Sequence, residues 1–138
     1  MKALIKIIGA QTVDGEKDVV ELTTNGTLDR VGDGWKLCYF ETEESGFENT
    51  MTQLEICDDK LTLVRSGAHP SMLILEKNQR HHCTYQTPYG AIDLGTYASE
   101  IRFRFDDNGG EIEFHYTLGF NGGISSAHVV HITVQEEK

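Results

Sequence analysis

WKLCYFETEESGFENTMTQLEI, residues 35–56, decides the fold. With the two-residue period of a strand, Trp35, Leu37, Tyr39, Glu41 and Glu43 share one face, and beyond Ser45-Gly46 so do Thr50, Thr52, Leu54 and Ile56. Each arm passes from apolar to polar as it nears the turn. A hairpin that sets Leu37 opposite Leu54 also sets Tyr39 opposite Thr52 and Glu41 opposite Thr50. One face then begins as core and ends as a cluster of carboxylate, phenol and hydroxyl groups.

The segments on either side repeat the alternation, with glycine-rich turns between them. Ile5 and Ile7 oppose Lys6 across the first strand, and after Asp14-Gly15-Glu16 the inward set is Val20, Leu22 and Thr24. Asp33-Gly34 leads into the central hairpin. After Asp58-Asp59, Leu61, Leu63 and Arg65 share a face, which points the arginine inward. Residues 70–77 and 80–87 are expected to pair around Asn78-Gln79, and Thr87-Pro88-Tyr89-Gly90 is a turn signal. Further on, Ile101, Phe103 and Phe105 alternate with Arg102 and Arg104, and Ile112, Phe114, Tyr116, Leu118 and Phe120 with Glu111, Glu113 and His115. Pairing Phe105 with Ile112 puts Phe103 against Phe114 in the core and Arg104 against Glu113 outside. In the last strand Ile124, His128, Val130, Ile132 and Val134 continue inward, with Phe114 opposite Val130 and Tyr116 opposite His128.

No segment carries a helical period. Roughly ten short strands with one apolar face each are too many for a flat open sheet. Closure hides both the edges and that face, so the expectation is all-β: a single antiparallel up-and-down barrel of about 8 to 10 strands. At 138 residues the chain is one domain's worth, spanning 1–138.

A net charge of -10 opposes the attraction on which nucleic-acid and anionic-membrane binding rest. No apolar run approaches the roughly 20 residues of a membrane span, and Lys6 breaks the first apolar run before a signal peptide forms. A cytoplasmic protein is expected. Cys38, Cys57 and Cys83 are odd in number and form no CxxC pair, so reduced thiols are the default.

The blocks Tyr39 to Thr52, Val64-Arg65-Ser66-Gly67 and Tyr85-Gln86-Thr87-Pro88-Tyr89-Gly90, with their spacing and the asparagine-glycine turns near the C-terminus, resemble the YwiB-like family of small bacterial proteins. The resemblance covers essentially the whole chain. It implies a calycin-type, lipocalin-like antiparallel barrel of unassigned function, and it supplies no catalytic residues.

The inward arginine carries a large desolvation cost unless paired, and a carboxylate across the lumen is the available partner. One reading makes Arg65 with Glu41 and Glu43 a structural ion pair. The other makes Arg65, Tyr39, Tyr85, Thr50, Thr52, Glu41 and Glu43 a lumen site, in which the arginine and hydroxyls take the acidic group of a small amphipathic or anionic ligand. An acidic outer face docking a basic protein is the alternative, and a weak hydrolase or isomerase is third. Glu41 and Glu43 lie roughly 7 Å apart by strand rise, but any alternating strand provides that spacing. There is no GxSxG elbow, phosphate-binding glycine loop or HExxH. His81 and His82 point to opposite faces, His115 and His131 near Glu113 lack a third ligand, and His128 is expected as a hydrogen-bonded core histidine. No metal and no cofactor is expected. Two copies could meet through an edge strand or through the outer stripe of Phe40 and Cys38.

Overall fold

Among the described residues, the alternating segments of the sequence become strands. The computed structural model describes the backbone at residues 1–40, 50–67, 71–87, 90–120 and 123–137, and side chains there except at 71, 83–87, 90–92, 120 and 123–125. The strands are β1 (Lys2–Val13), β2 (Glu16–Val31), β3 (Gly34–Phe40), β4 (Thr50–Cys57), β5 (Lys60–Gly67), β6 (Ser71–Glu76), β7 (Arg80–Thr87), β8 (Gly90–Asp106), β9 (Gly109–Phe120) and β10 (Gly123–Glu136). They form one antiparallel sheet in the order β6-β5-β4-β3-β2-β1-β10-β9-β8-β7. Because β1 pairs with β2 on one side and β10 on the other, the first and last strands join and the sheet curls into a nearly closed up-and-down barrel.

Closure stops at β6 and β7. The pair expected around Asn78-Gln79 forms no ladder: Glu76 and Gln79 share a single bridge, and both strands are sheet edges. The cause lies in the turn. Asn78 has a left-handed φ of 61°, Lys77 N donates to Asp59 O at 2.8 Å, and Asn78 N donates to Ala98 O at 2.7 Å. These bonds tie the turn to two different neighbours, so β6 leaves along β5 and β7 along β8. Thr96 Oγ1, fully buried, donates to Ile74 O at 2.8 Å and links β8 to β6. Alternation settles which face a residue takes but not which strand lies beside it.

The β8–β9 register also departs from the expected one. Phe103 faces Ile112, Ile101 faces Phe114, and Arg102 rather than Arg104 faces Glu113. Each residue keeps its expected side, but the partners slip by two. Four turn residues were expected; only Asp107 and Asn108 connect the strands, with Asn108 N donating to Asp106 Oδ1 at 2.8 Å. Gly109 and Gly110 belong to the ladder, at φ 125° and 147°.

The inward faces make a continuous core of Ile5, Leu28, Leu37, Leu54, Ile56, Leu61, Leu75, Ile112, Phe114 and Ile132. On the central hairpin, Leu37 pairs with Leu54 and Tyr39 with Thr52, as the alternation required. Glu41 and its expected partnership with Thr50 lie outside the described residues.

Candidate functional site in the barrel lumen

The ladders place the polar hairpin residues in a row that crosses several strands. Tyr39 on β3 pairs with Thr52 on β4, Thr52 with Arg65 on β5, and Arg65 with Ser71 on β6. The row before it is Leu37, Leu54, Leu63 and Leu73, and the one before that Trp35, Ile56, Leu61 and Leu75. The inner wall therefore passes from hydrocarbon to polar groups along the barrel axis. Gly26 on β2 lies next to Tyr39 and makes room for it. A Cβ there would strike Cys38 O and come within 2.6 Å of Ile5 Cδ1.

The opposite wall has the same gradient. Ile112, Phe114 and Tyr116 on β9 pair with Ile132, Val130 and His128 on β10. Gln11 on β1 pairs with both His128 and Asp18, so Asp18, Gln11, His128 and Tyr116 make a second polar row. Between the walls is a cavity of about 200 Å³. Leu54, Leu63, Phe114 and Ile132 line it deep, while Tyr39, Arg65, Tyr116 and His128 line its polar end.

Arg65 is half-buried, and its Nε atom is shielded from solvent. Tyr39, Thr50 and Thr52 are buried, the two threonines completely. Tyr39 and Arg65 line the cavity; Thr50 and Thr52 are packed in the wall beside them. Glu41 and Glu43 lie outside the described residues. Tyr85 sits on β7 opposite Ile92, with its side chain outside the described set.

The residues that the hairpin does not reveal are Gln11, Asp18, Tyr116 and His128. His128, expected as a hydrogen-bonded core histidine, is hydrogen-bonded but only half-buried, in the cavity wall. Its ring stacks on Tyr116 with centroids 4.6 Å apart and planes within 7°, and Ser126 Oγ lies 2.8 Å from Nε2. Burial pushes its pKa below the usual 6.5, because the charged imidazolium loses water that the neutral ring does not need. On the outer face the expected Glu113 cluster is an ion-pair chain. Hydrogen bonds from His115 first, and then from Arg102, hold the Glu113 carboxyl below its usual 4.5. His131 bonds instead to Glu111 at 3.0 Å. Among the described residues no three His, Cys, Asp or Glu side chains are placed to hold a metal ion.

These two groups act on stability in different pH windows. An unfolded His128 takes its proton near 6.5 while the folded one resists, so stability falls as pH drops through that value and levels off once the buried ring also charges. Glu113 contributes above 4.5 and is lost as pH falls through its lowered value. His128→Gln is accordingly expected to flatten the fall in melting temperature between about pH 7.5 and about pH 5, and to leave the more acidic fall in place. A curve for the variant parallel to wild type throughout would show that His128 is not held neutral by burial.

Fold and site together define a class: an all-β protein whose ten antiparallel strands curl around a small lumen with an apolar floor and a polar mouth. Within that class the chain belongs to the family described as "Domain of unknown function (DUF1934)", which it matches over residues 5–132. The crystal structure of the ywiB protein from Bacillus subtilis has the same architecture, with a TM-score of 0.87 over 99% of this chain and 92% of that one. The two sequences are 19% identical, so that likeness shows the fold; together with the family match it bears out the YwiB-like family expected from the sequence. No curated protein sequence matches the chain.

Proposed function

We propose that the lumen binds a small amphipathic or anionic molecule without catalysing its conversion, the apolar floor taking its body and Arg65 its acidic group. The observation that carries this is the position of Arg65 at the polar end of a cavity whose deep walls are Leu54, Leu63, Phe114 and Ile132. A guanidinium offers five donors in a planar fork that matches a carboxylate or phosphate. Tyr39 lines that end with it, and Thr50 and Thr52, packed in the wall, brace it. Lipocalin-like barrels use their interiors in the same way, which makes the calycin-type comparison apt. At about 200 Å³ the cavity is below the ~300–1,000 Å³ of drug-sized sites. The ligand is therefore metabolite-sized.

No helix of the described residues is long and apolar enough to cross a membrane, and Cys38 and Cys57 are free thiols, which suits the reducing cytoplasm. A second reading, favoured by Phe40 at 66% exposure facing Met51 on the outer surface, is pairing of two copies through that stripe. Sedimentation of wild type as a monomer at high concentration would remove it.

Native mass spectrometry of the protein as purified, before and after incubation with small carboxylates and phosphates, tests the lumen reading. Arg65→Ala is expected to weaken binding by about 1.5–3 kcal/mol, roughly 10- to 150-fold, the worth of a hydrogen bond to a charged group. Wild-type protein that neither carries nor accepts any such molecule ends the proposal.

A further inference from the structure

Resting on the lumen reading, we propose that the ligand is a planar ring bearing a carboxylate, its flat face against Phe114, Tyr116 and His128 and its carboxylate on Arg65. The three rings form an unbroken row on one wall. Phe114 and Tyr116 have centroids 5.8 Å apart and planes within 21°, and Tyr116 and His128 are closer and more nearly parallel still. All three line the cavity. Side chains stand roughly perpendicular to their sheet, so rings stacked on one another along a wall turn their edges to the lumen. An aromatic edge is the positive end of the ring quadrupole, and its preferred neighbour is the negative face of another ring. The row thus suits a flat unsaturated ring better than a puckered or extended chain.

Arg65 completes the arrangement from across the barrel. In the sheet order β5 lies five strands from β10, and Arg65 and His128 line the same cavity, so they stand on opposite walls of the curled sheet. A molecule between them meets the ring wall on one side and the guanidinium on the other. The cavity volume favours one ring over a long acyl chain. The polar rim also carries the exposed carboxylate of Asp18 and the amide of Gln11, on β2 and β1 between those two walls. Burial keeps His128 neutral near neutral pH, which leaves its ring free to serve as an aromatic surface.

Titration of the full chain with benzoate, cyclohexanecarboxylate and benzyl alcohol, followed by nuclear magnetic resonance, separates the parts. Benzoate and cyclohexanecarboxylate share charge and carbon count and differ in flatness. Benzoate is expected to bind about tenfold more tightly than cyclohexanecarboxylate and than benzyl alcohol, with shifts at Tyr116 and His128. Tyr116→Leu is expected to bring the ratio of the two carboxylates near one while both still bind, and His128→Leu serves if that variant does not fold. Equal affinity of wild type for the two carboxylates overturns the planar-ring assignment and leaves the lumen reading standing. Benzyl alcohol as tight as benzoate overturns the carboxylate. Failure of every probe to perturb the cavity residues overturns both readings together.

Discussion

Phe114→Ala is expected to lower the free energy of unfolding by about 3–5 kcal/mol and the melting temperature by about 10–20 °C. The ring is 2% exposed, and it touches both the sealed core and the lumen cavity. Truncation loses the transfer free energy of the ring and leaves a void that rigid strands on β8 and β10 cannot collapse into. The new void joins the existing cavity of about 200 Å³. A small apolar guest such as benzene is therefore expected to raise the melting temperature of the variant more than that of wild type. Chemical denaturation and a thermal melt with and without benzene check both statements. A loss under about 1 kcal/mol would mean that Phe114 already meets water in the native protein.

Gly110→Ala is expected to cost at least about 3 kcal/mol, because two penalties coincide. Its φ of 147° is one that side-chain-bearing residues rarely adopt. A Cβ there would also collide with Arg104 O and sit 2.8 Å from Phe105 Cα. Both obstacles are backbone atoms of β8, which cannot withdraw without breaking the ladder where Phe105 faces Gly110. Gly15→Ala provides the control. At φ 81° it is strained as well, but nothing lies within 4 Å of the added carbon, so about 1 kcal/mol is expected. Comparable denaturant midpoints for the two variants would refute close backbone approach as the cause.

The same glycine explains why the β8–β9 register was only partly legible. Asp107-Asn108-Gly109-Gly110 is a turn signal four residues long, and a four-residue connection sets Phe105 against Ile112. In the folded chain the close passage of β8 and β10 on either side makes Gly109 and Gly110 strand residues, and the partners move by two. Parity survives because a slip of two keeps every side chain on its face. Arg102 gains Glu113, and Phe103 remains inward against Ile112. The missing β6–β7 ladder is a similar case: the turn residues were visible around Asn78, but the bonds from Lys77 to Asp59 and from Asn78 to Ala98 are contacts between distant strands.

The site divides along the same line. Tyr39, Thr52 and Arg65 were readable as a group because each is one register step from the next, and hairpin pairing is a local consequence of alternation and turns. Tyr116 and His128 could be paired with each other for the same reason. That they stand across a cavity from Arg65 was not readable, since it depends on β1 meeting β10.

Residue order alone was enough to settle which of the described side chains turn inward, that the fold is all-β, and that so many one-faced strands must curl into a nearly closed barrel. These follow from a two-residue period and from the cost of exposing apolar faces and sheet edges, and both are properties of neighbouring residues. The folded barrel was needed to settle where the circle breaks, how β8 and β9 slip past each other, and that an aromatic wall faces an arginine over a small cavity. Those depend on meetings between segments far apart in the chain, decided by which backbone groups find partners and how closely three strands can approach.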